Sequence, residues 1–263
     1  MKRIVVVFFV LILLAACFVG CSKKDEPERI GIISAMDNEI DILLDEAHIE
    51  RVDTIGGVKY HVGTLRGKNV VITRAGIGKV LATAGATTLV NSYNISKIVF
   101  TGIAGGVADE LDVLDEVVAT KLVEHDYGLL TDDGLEWMSG DPGMGGEPGV
   151  YYECDPALVE IAYNAAVEVV GAEHAHKGII ATGDQFISSE AYVQTLHDDF
   201  NAYACEMEGA AIAIVCTKYG KPFVVIRALS DKADGKAHES YVDFGDVAGD
   251  NSSSILLKML EKM

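Results

Sequence analysis

The sequence predicts an α/β domain built on a mixed, largely parallel central sheet. Short apolar runs of strand length alternate with helix-length stretches along most of the chain. Two alternating runs between residues 58 and 73 are joined by a tight Arg66-Gly67 turn, which adds a hairpin and makes the sheet mixed. Of the 263 residues, 29–263 carry no linker or internal repeat and are enough for one large domain.

Arg29-Ile-Gly-Ile-Ile-Ser34 is the first strand. It runs into Ala35-Met-Asp-Asn-Glu39, and a helix follows with Ile40, Leu43 and Leu44 on one face. Glu39 therefore falls in the turn between them. Val58, Tyr60 and Val62 alternate with Lys59, His61 and Gly63 as in a half-exposed strand, and 69–73 is its partner. Ala75-Gly-Ile-Gly-Lys79 leads into a helix over about 80–92. That turn is no P-loop, which needs four residues between its glycines and then Lys-Ser/Thr. The next buried strand, 97–100, ends in a predicted Gly-rich turn, Thr101-Gly-Ile-Ala-Gly-Gly106, where a ligand can approach the backbone closely.

Residues 117–123 form another strand, ending at Glu124-His125-Asp126. His125 and His174 match no metal spacing. The stretch 127–150 is long and Gly-rich with a single Trp137, and loops of that length in compact domains are functional or disordered. Its length predicts a segment that closes over a ligand, helped by a second subunit. Asp155 and Pro156 start a helix that Gly171 ends, with Leu158, Ile161, Ala165 and Val169 as its expected buried stripe. Strand 176–182 runs into Gly183-Asp-Gln-Phe-Ile187, and Ser188 or Ser189 caps the helix after it. Beyond Asp231 a polar loop to Ser240 precedes Tyr241, and the last helix covers about 252–261.

The chain is organised around residues 204–231. Met207, Ala210, Ala211, Ile214 and Val215 recur at helical spacing, and the rest of that run is apolar nearly all round, so the helix is buried. Gly220-Lys-Pro222 stops it, and 223–229 suits a strand covered on both faces. Glu206 and Glu208 thus precede a buried helix and Asp231 ends a buried strand. Acids at such positions line sites in α/β proteins; equally, acids at helix starts serve as caps.

Six motifs then stand in one order: Ile30-Gly-Ile-Ile-Ser-Ala-Met-Asp-Asn-Glu39, Gly76-Ile-Gly-Lys79, Thr101-Gly-Ile-Ala-Gly-Gly106, Thr182-Gly-Asp-Gln-Phe-Ile187, Glu206-Met-Glu208 and Arg227-Ala-Leu-Ser-Asp231. Together, from about Arg29 to the C-terminus, they resemble the 5′-methylthioadenosine/S-adenosylhomocysteine nucleosidases of the nucleoside phosphorylase superfamily. The resemblance implies a three-layer α/β/α nucleoside phosphorylase-like fold, a homodimer, no cofactor, and hydrolysis of the bond between adenine N9 and ribose C1′. It implies Asp231 as the acid that protonates adenine N7 and Glu39 as the base that activates water. Glu208 would hold the ribose hydroxyls, with Met207 beneath the sugar. Phe186 would stack on the purine, and the Ile187 backbone would pair with its edge. Ile103, Ala104, Gly105, Glu206, Arg227, Ser230 and Tyr241 complete the implied substrate-binding set. Ile103 departs from the small polar residue common in the family, and Tyr241 stands where Phe is frequent, near the 5′ group. Both bear on the 5′ substituent rather than on the reaction.

A phosphorylase of the same fold would need cations for phosphate, whereas Asp37, Asn38, Glu39 and Thr101 occupy the places where they are expected. A relative acting on a larger 5′ group, such as aminodeoxyfutalosine, is a further alternative. A non-catalytic nucleoside-binding lipoprotein is the last, because the N-terminus has the form of a leader. Lys2-Arg3 precedes an apolar run, 4–16, too short to span a membrane and right for a signal peptide. Leu14-Ala-Ala-Cys17 resembles a lipobox, with Cys21 as the alternative lipidated residue. Residues 1–21 then form a leader with its lipidated Cys, 22–28 a tether and 29–263 the nucleosidase domain, lipid-anchored on the extracytoplasmic side of a bacterial membrane. Losing Lys2 and Arg3 takes the formal charge from −19 to about −21, a surface that repels nucleic acid and anionic lipid. Cys154, Cys205 and Cys216 match no metal spacing, and the two in apolar surroundings are expected as buried structural thiols.

Overall fold

A computed structural model describes residues 26–137 and 151–263. The leader with Cys17 and Cys21, the start of the tether and most of the long Gly-rich stretch lie outside the described residues. In chain order the first elements are β1 (Arg29–Ser34), α1 (Asp41–Glu46), β2 (His48–Ile55), β3 (Val58–Leu65), β4 (Lys68–Arg74), α2 (Lys79–Ser92), β5 (Ile95–Gly106) and β6 (Glu116–Glu124). They are followed by β7 (Gly128–Thr131), β8 (Gly134–Trp137), β9 (Tyr152–Glu153), α3 (Pro156–Val170), β10 (Ala175–Thr182) and α4 (Glu190–Phe200). The last are β11 (Ala202–Glu206), α5 (Gly209–Lys218), β12 (Phe223–Asp231) and α6 (Ala237–Lys262).

The main sheet runs β11-β10-β6-β12-β5-β1-β4-β3-β2, and β11 also pairs with β5, so one part of the sheet closes on itself. β1 lies parallel to β4 and β5, and β12 lies parallel to β5. The β12–β6 and β11–β5 pairs and the β2–β3–β4 meander are antiparallel, so the sheet is mixed, as expected. α6 packs on β12 and β5 and against α3 and α1, while α2 packs on α5. Every residue of β12 is buried, the expected outcome of an unbroken apolar run, and α5 is buried nearly all round. Asp155 caps α3 by accepting from Leu158 N at 3.0 Å, and Ser189, rather than Ser188, caps α4. Cys154, Cys205 and Cys216 are free and buried.

Four expectations change. The Gly-rich segment is not a turn; β5 continues through it to Gly106, because β12 and β11 both pair with it there. The polar loop before Ser240 and the late start of the last helix give way to one helix from Ala237. Its outward face is mostly polar, with Val242, Phe244 and Val247 exposed among the polar residues, and Gly249 suits close packing rather than a break, since a Cβ there would lie 2.9 Å from the Asn38 carbonyl oxygen. The stripe of α3 is Leu158, Val159, Ala162, Ala165 and Ala166, with Val169 half-exposed. Within 127–150, the described part forms the β7–β8 hairpin. Trp137 packs edge-on to Phe200 at 5.1 Å between centroids and donates to the Glu124 carbonyl, so it is anchored to the domain, and the rest of the segment expected to close over a ligand lies outside the described residues.

Candidate active site

The turn after β1 folds back so that Ala35 N and Met36 N both donate to Glu39 Oε2 at 2.8 Å. Ile103 N, from β5, donates to Oε1 at 3.0 Å. The carboxylate is 3% exposed. Burial raises its pKa, and the Arg227 charge and the three N–H groups only partly offset that. From behind, Ser253 Oγ donates to the Glu39 carbonyl at 2.7 Å, so α6 fixes the turn. Gly102 makes the approach possible: a Cβ there would sit 2.4 Å from Glu39 Oε1.

Asp231 reaches the same place from β12. The ladder with β5 shifts register between Leu229 and Asp231, a bulge at Ser230 that sets Asp231 opposite Gly105. A Cβ on Gly105 would lie 2.9 Å from Asp231 Oδ1. Asp231 accepts from Ala233 N at 2.8 Å and from Ser230 Oγ at 2.8 Å. Burial raises its pKa, against those two hydrogen bonds.

The two glutamates before α5 divide their work. Glu206 accepts from Glu208 N and Gly209 N and is the side-chain cap of α5. It also accepts from Thr182 Oγ1 and from Arg227 Nη2, the latter at 2.7 Å. Arg227 lies over the Phe100 ring, 3.8 Å from its centroid, behind the site. Glu208 makes no capping bond; its side chain turns to Gly78 N, which donates to Oε1 at 2.7 Å. Burial first, then the Glu206 charge, pushes its pKa up to about 8.

These acids face one cavity of about 370 Å³. Glu39, Ile103, Ala104, Gly105, Phe186, Ile187, Glu206, Met207, Glu208, Ser230, Asp231 and Tyr241 all line it. Arg227 does not, and its charge is spent on Glu206. Phe186 is half out in solvent and meets Tyr241 edge-to-face at 6.0 Å, and the Tyr241 hydroxyl lies 3.7 Å from Met36 Sδ. Met36, Ile77, Gln185, Cys205 and His238 also line the cavity. Met36 and Ile77 sit inside quoted motifs, which were the available signal. His238 sits in what reads as a polar loop, which gave none. Among the described residues no Lys or Arg is in the wall.

Residues 29–261 match the phosphorylase superfamily. The chain belongs to that family. A 5′-methylthioadenosine/S-adenosylhomocysteine nucleosidase of Shewanella sp. (strain MR-7) is 40% identical over 239 residues, 89% of this chain and 97% of that protein. A solved Helicobacter pylori nucleosidase variant, with 5′-methylthioadenosine in its active site, is 33% identical with a TM-score of 0.80, covering 90% of this chain and 100% of that one. A Helicobacter pylori futalosine hydrolase structure is 32% identical with a TM-score of 0.79, covering 90% and 98%.

Proposed function

We propose that this chain hydrolyses the N-glycosidic bond of 5′-methylthioadenosine and S-adenosylhomocysteine, releasing adenine and the 5-thio-ribose product. One observation carries the reading: Glu39, Glu208 and Asp231 face one cavity whose wall, among the described residues, holds no Lys or Arg for phosphate. Asp231 delivers a proton to adenine N7, and the C1′–N9 bond breaks with positive charge developing on the ribose. The nearby carboxylates favour that charge. Water adds at C1′ and gives its proton to Glu39. Glu208 accepts from the ribose hydroxyls, Met207 packs under the sugar, and Phe186 supplies a ring face for the purine. Burial raises the pKa of Asp231, which favours its proton-carrying form. Adenine release from methylthioadenosine in phosphate-free buffer tests this. A requirement for phosphate, or accumulation of a ribose 1-phosphate, would overturn it.

The comparable likeness to a futalosine hydrolase favours a second reading, the same chemistry on a larger 5′ group such as aminodeoxyfutalosine. Side-by-side turnover of the substrates decides between them.

Two further features belong to this reading. The chain pairs with a second copy across the cavity mouth, supported by the exposed apolar residues Ile77, Val80, Leu81 and Val242 beside the lining. A strict monomer with full activity would count against it. Residues 1–21 comprise a leader and its lipidated Cys, with cleavage before Cys17 (or Cys21), 22–28 is a tether, and the domain 29–263 stands on the outer face of a bacterial membrane. The Lys2-Arg3 start and the short apolar run support this. Intact-mass analysis finding a native N-terminus at Met1, or one without acyl groups, would refute it.

A further inference from the structure

Lys79, the last residue of the Gly76-Ile-Gly-Lys79 motif, does not line the cavity. Its side chain is mostly buried, 18% exposed, and its ammonium lies between Asp126 Oδ1 at 2.6 Å and Glu124 Oε1 at 3.3 Å. Asp126 uses its other oxygen on the segment that carries Phe186: Oδ2 accepts from Asp184 N at 2.8 Å and from Gln185 Nε2 at 3.2 Å. Asp184 closes the ring, since its Oδ1 accepts from Lys79 N at 2.8 Å. Lys79, Asp126 and Asp184 are thus each bonded to the other two. One residue before Lys79, Gly78 N holds Glu208. One residue after Gln185 stands Phe186, half exposed and without other support than its edge contact to Tyr241 among the ring contacts described.

We propose that Lys79 is a positioning residue that ties the wall holding Glu208 to the wall carrying Phe186. An exposed ion pair would do little of this, but here Lys79 and Asp126 are both largely buried, and the bonds they share with the exposed Asp184 also hold the backbone N–H groups of Lys79 and Asp184. Burial opposes both charges, yet the mutual bond outweighs it, holding Lys79 above and Asp126 below their ordinary pKa values. The ring therefore stays charged and closed across neutral pH. On the nucleosidase reading these two walls hold the sugar and the purine while Asp231 and Glu39 do the chemistry, so loosening them should cost binding more than the chemical step.

The catalytic arm of the test rests on the nucleosidase reading, and an exchange arm does not. Lys79→Met should speed amide exchange at residues 183–188 in the unliganded protein. It should raise KM about tenfold while kcat changes about threefold or less. Lys79→Arg should recover most of both, which a merely structural loss of packing would not do. Lys79→Met with Asp126→Ala should be no worse than the worse single variant, because both break one ring. Should Lys79→Met not fold, Asp126→Ala alone must give the same faster exchange at 183–188. Wild-type exchange there, a KM at the wild-type value, or additive effects in the double variant would each overturn the proposal. If wild-type protein releases no adenine, the functional reading fails and the exchange result alone decides the link.

Discussion

Glu39 and Asp231 are both buried acids, yet their bonds suit opposite tasks. Glu39 accepts three backbone N–H groups across its two oxygens, and such bonds favour the charged form a base needs. Asp231 accepts one backbone N–H and one hydroxyl, fewer bonds to hold its charged form. Amide substitutions should separate them. Asp231→Asn can keep Ala233 N on its oxygen and turn its NH₂ to Ser230, so it should fold as well as wild type while kcat drops about 10²–10⁴-fold. Near wild-type turnover in that variant would remove Asp231 as the acid. Glu39→Gln must set an NH₂ against a backbone N–H whichever way it is flipped. It should lose activity and also about 1–3 kcal/mol of stability, measured by denaturant unfolding.

Glu208 adds a pH signature. Its pKa is about 8 in the folded protein against an ordinary 4.5. The folded state holds the proton more tightly, so this group is without cost below about pH 4.5 and destabilises progressively as pH rises through 8. Glu208→Gln keeps an oxygen for Gly78 N and cannot ionise. The Tm of that variant relative to wild type should therefore climb between pH 5 and pH 9; a flat difference would show that Glu208 is not held protonated.

Much of the element order was legible because each strand and helix carries its own period. The apolar run 223–229 and the Asp155-Pro156 start read directly as β12 and α3. What did not read were cases where a local signal served a distant contact. The glycines of 101–106 signal a turn, but in the sheet they clear room for Glu39 and Asp231, residues 63 and 126 positions away from Gly102 and Gly105. Glu206 reads equally as a ligand-facing acid or a helix cap, and only the fold reveals that Arg227 also consumes it beside the α5 amides. Gly102→Ala tests this physical reason. Its Cβ would press on the tightly bonded Glu39 carboxylate, so stability should fall by about 1–3 kcal/mol with activity. Gly106→Ala meets a movable Leu229 methyl at 3.1 Å and should be milder on both counts. Equal effects would mean that room for Glu39 is not what Gly102 supplies.

At the scale of the whole molecule, the excess of acid governs how the chain meets its surroundings. A formal charge of −19 at pH 7 sets like charges facing one another over most of the surface, which repels anionic surfaces and loosens the compact state. Most of that charge is exposed, hence screened by salt with a Debye length of about 10 Å at 0.1 M. Raising NaCl from about 20 to 200 mM should therefore raise the Tm, whereas a charge-balanced protein would move little. The same field decides how a membrane could hold the chain. Protein beginning at residue 29 should not sediment with phosphatidylserine vesicles even at low salt. Acylated full-length protein should sediment at low and high salt alike, because acyl chains supply about 0.8 kcal/mol per buried CH₂ and salt does not screen that term. Vesicle binding by the unacylated domain, or release of the acylated form as salt is raised, would show that charge rather than lipid carries the attachment.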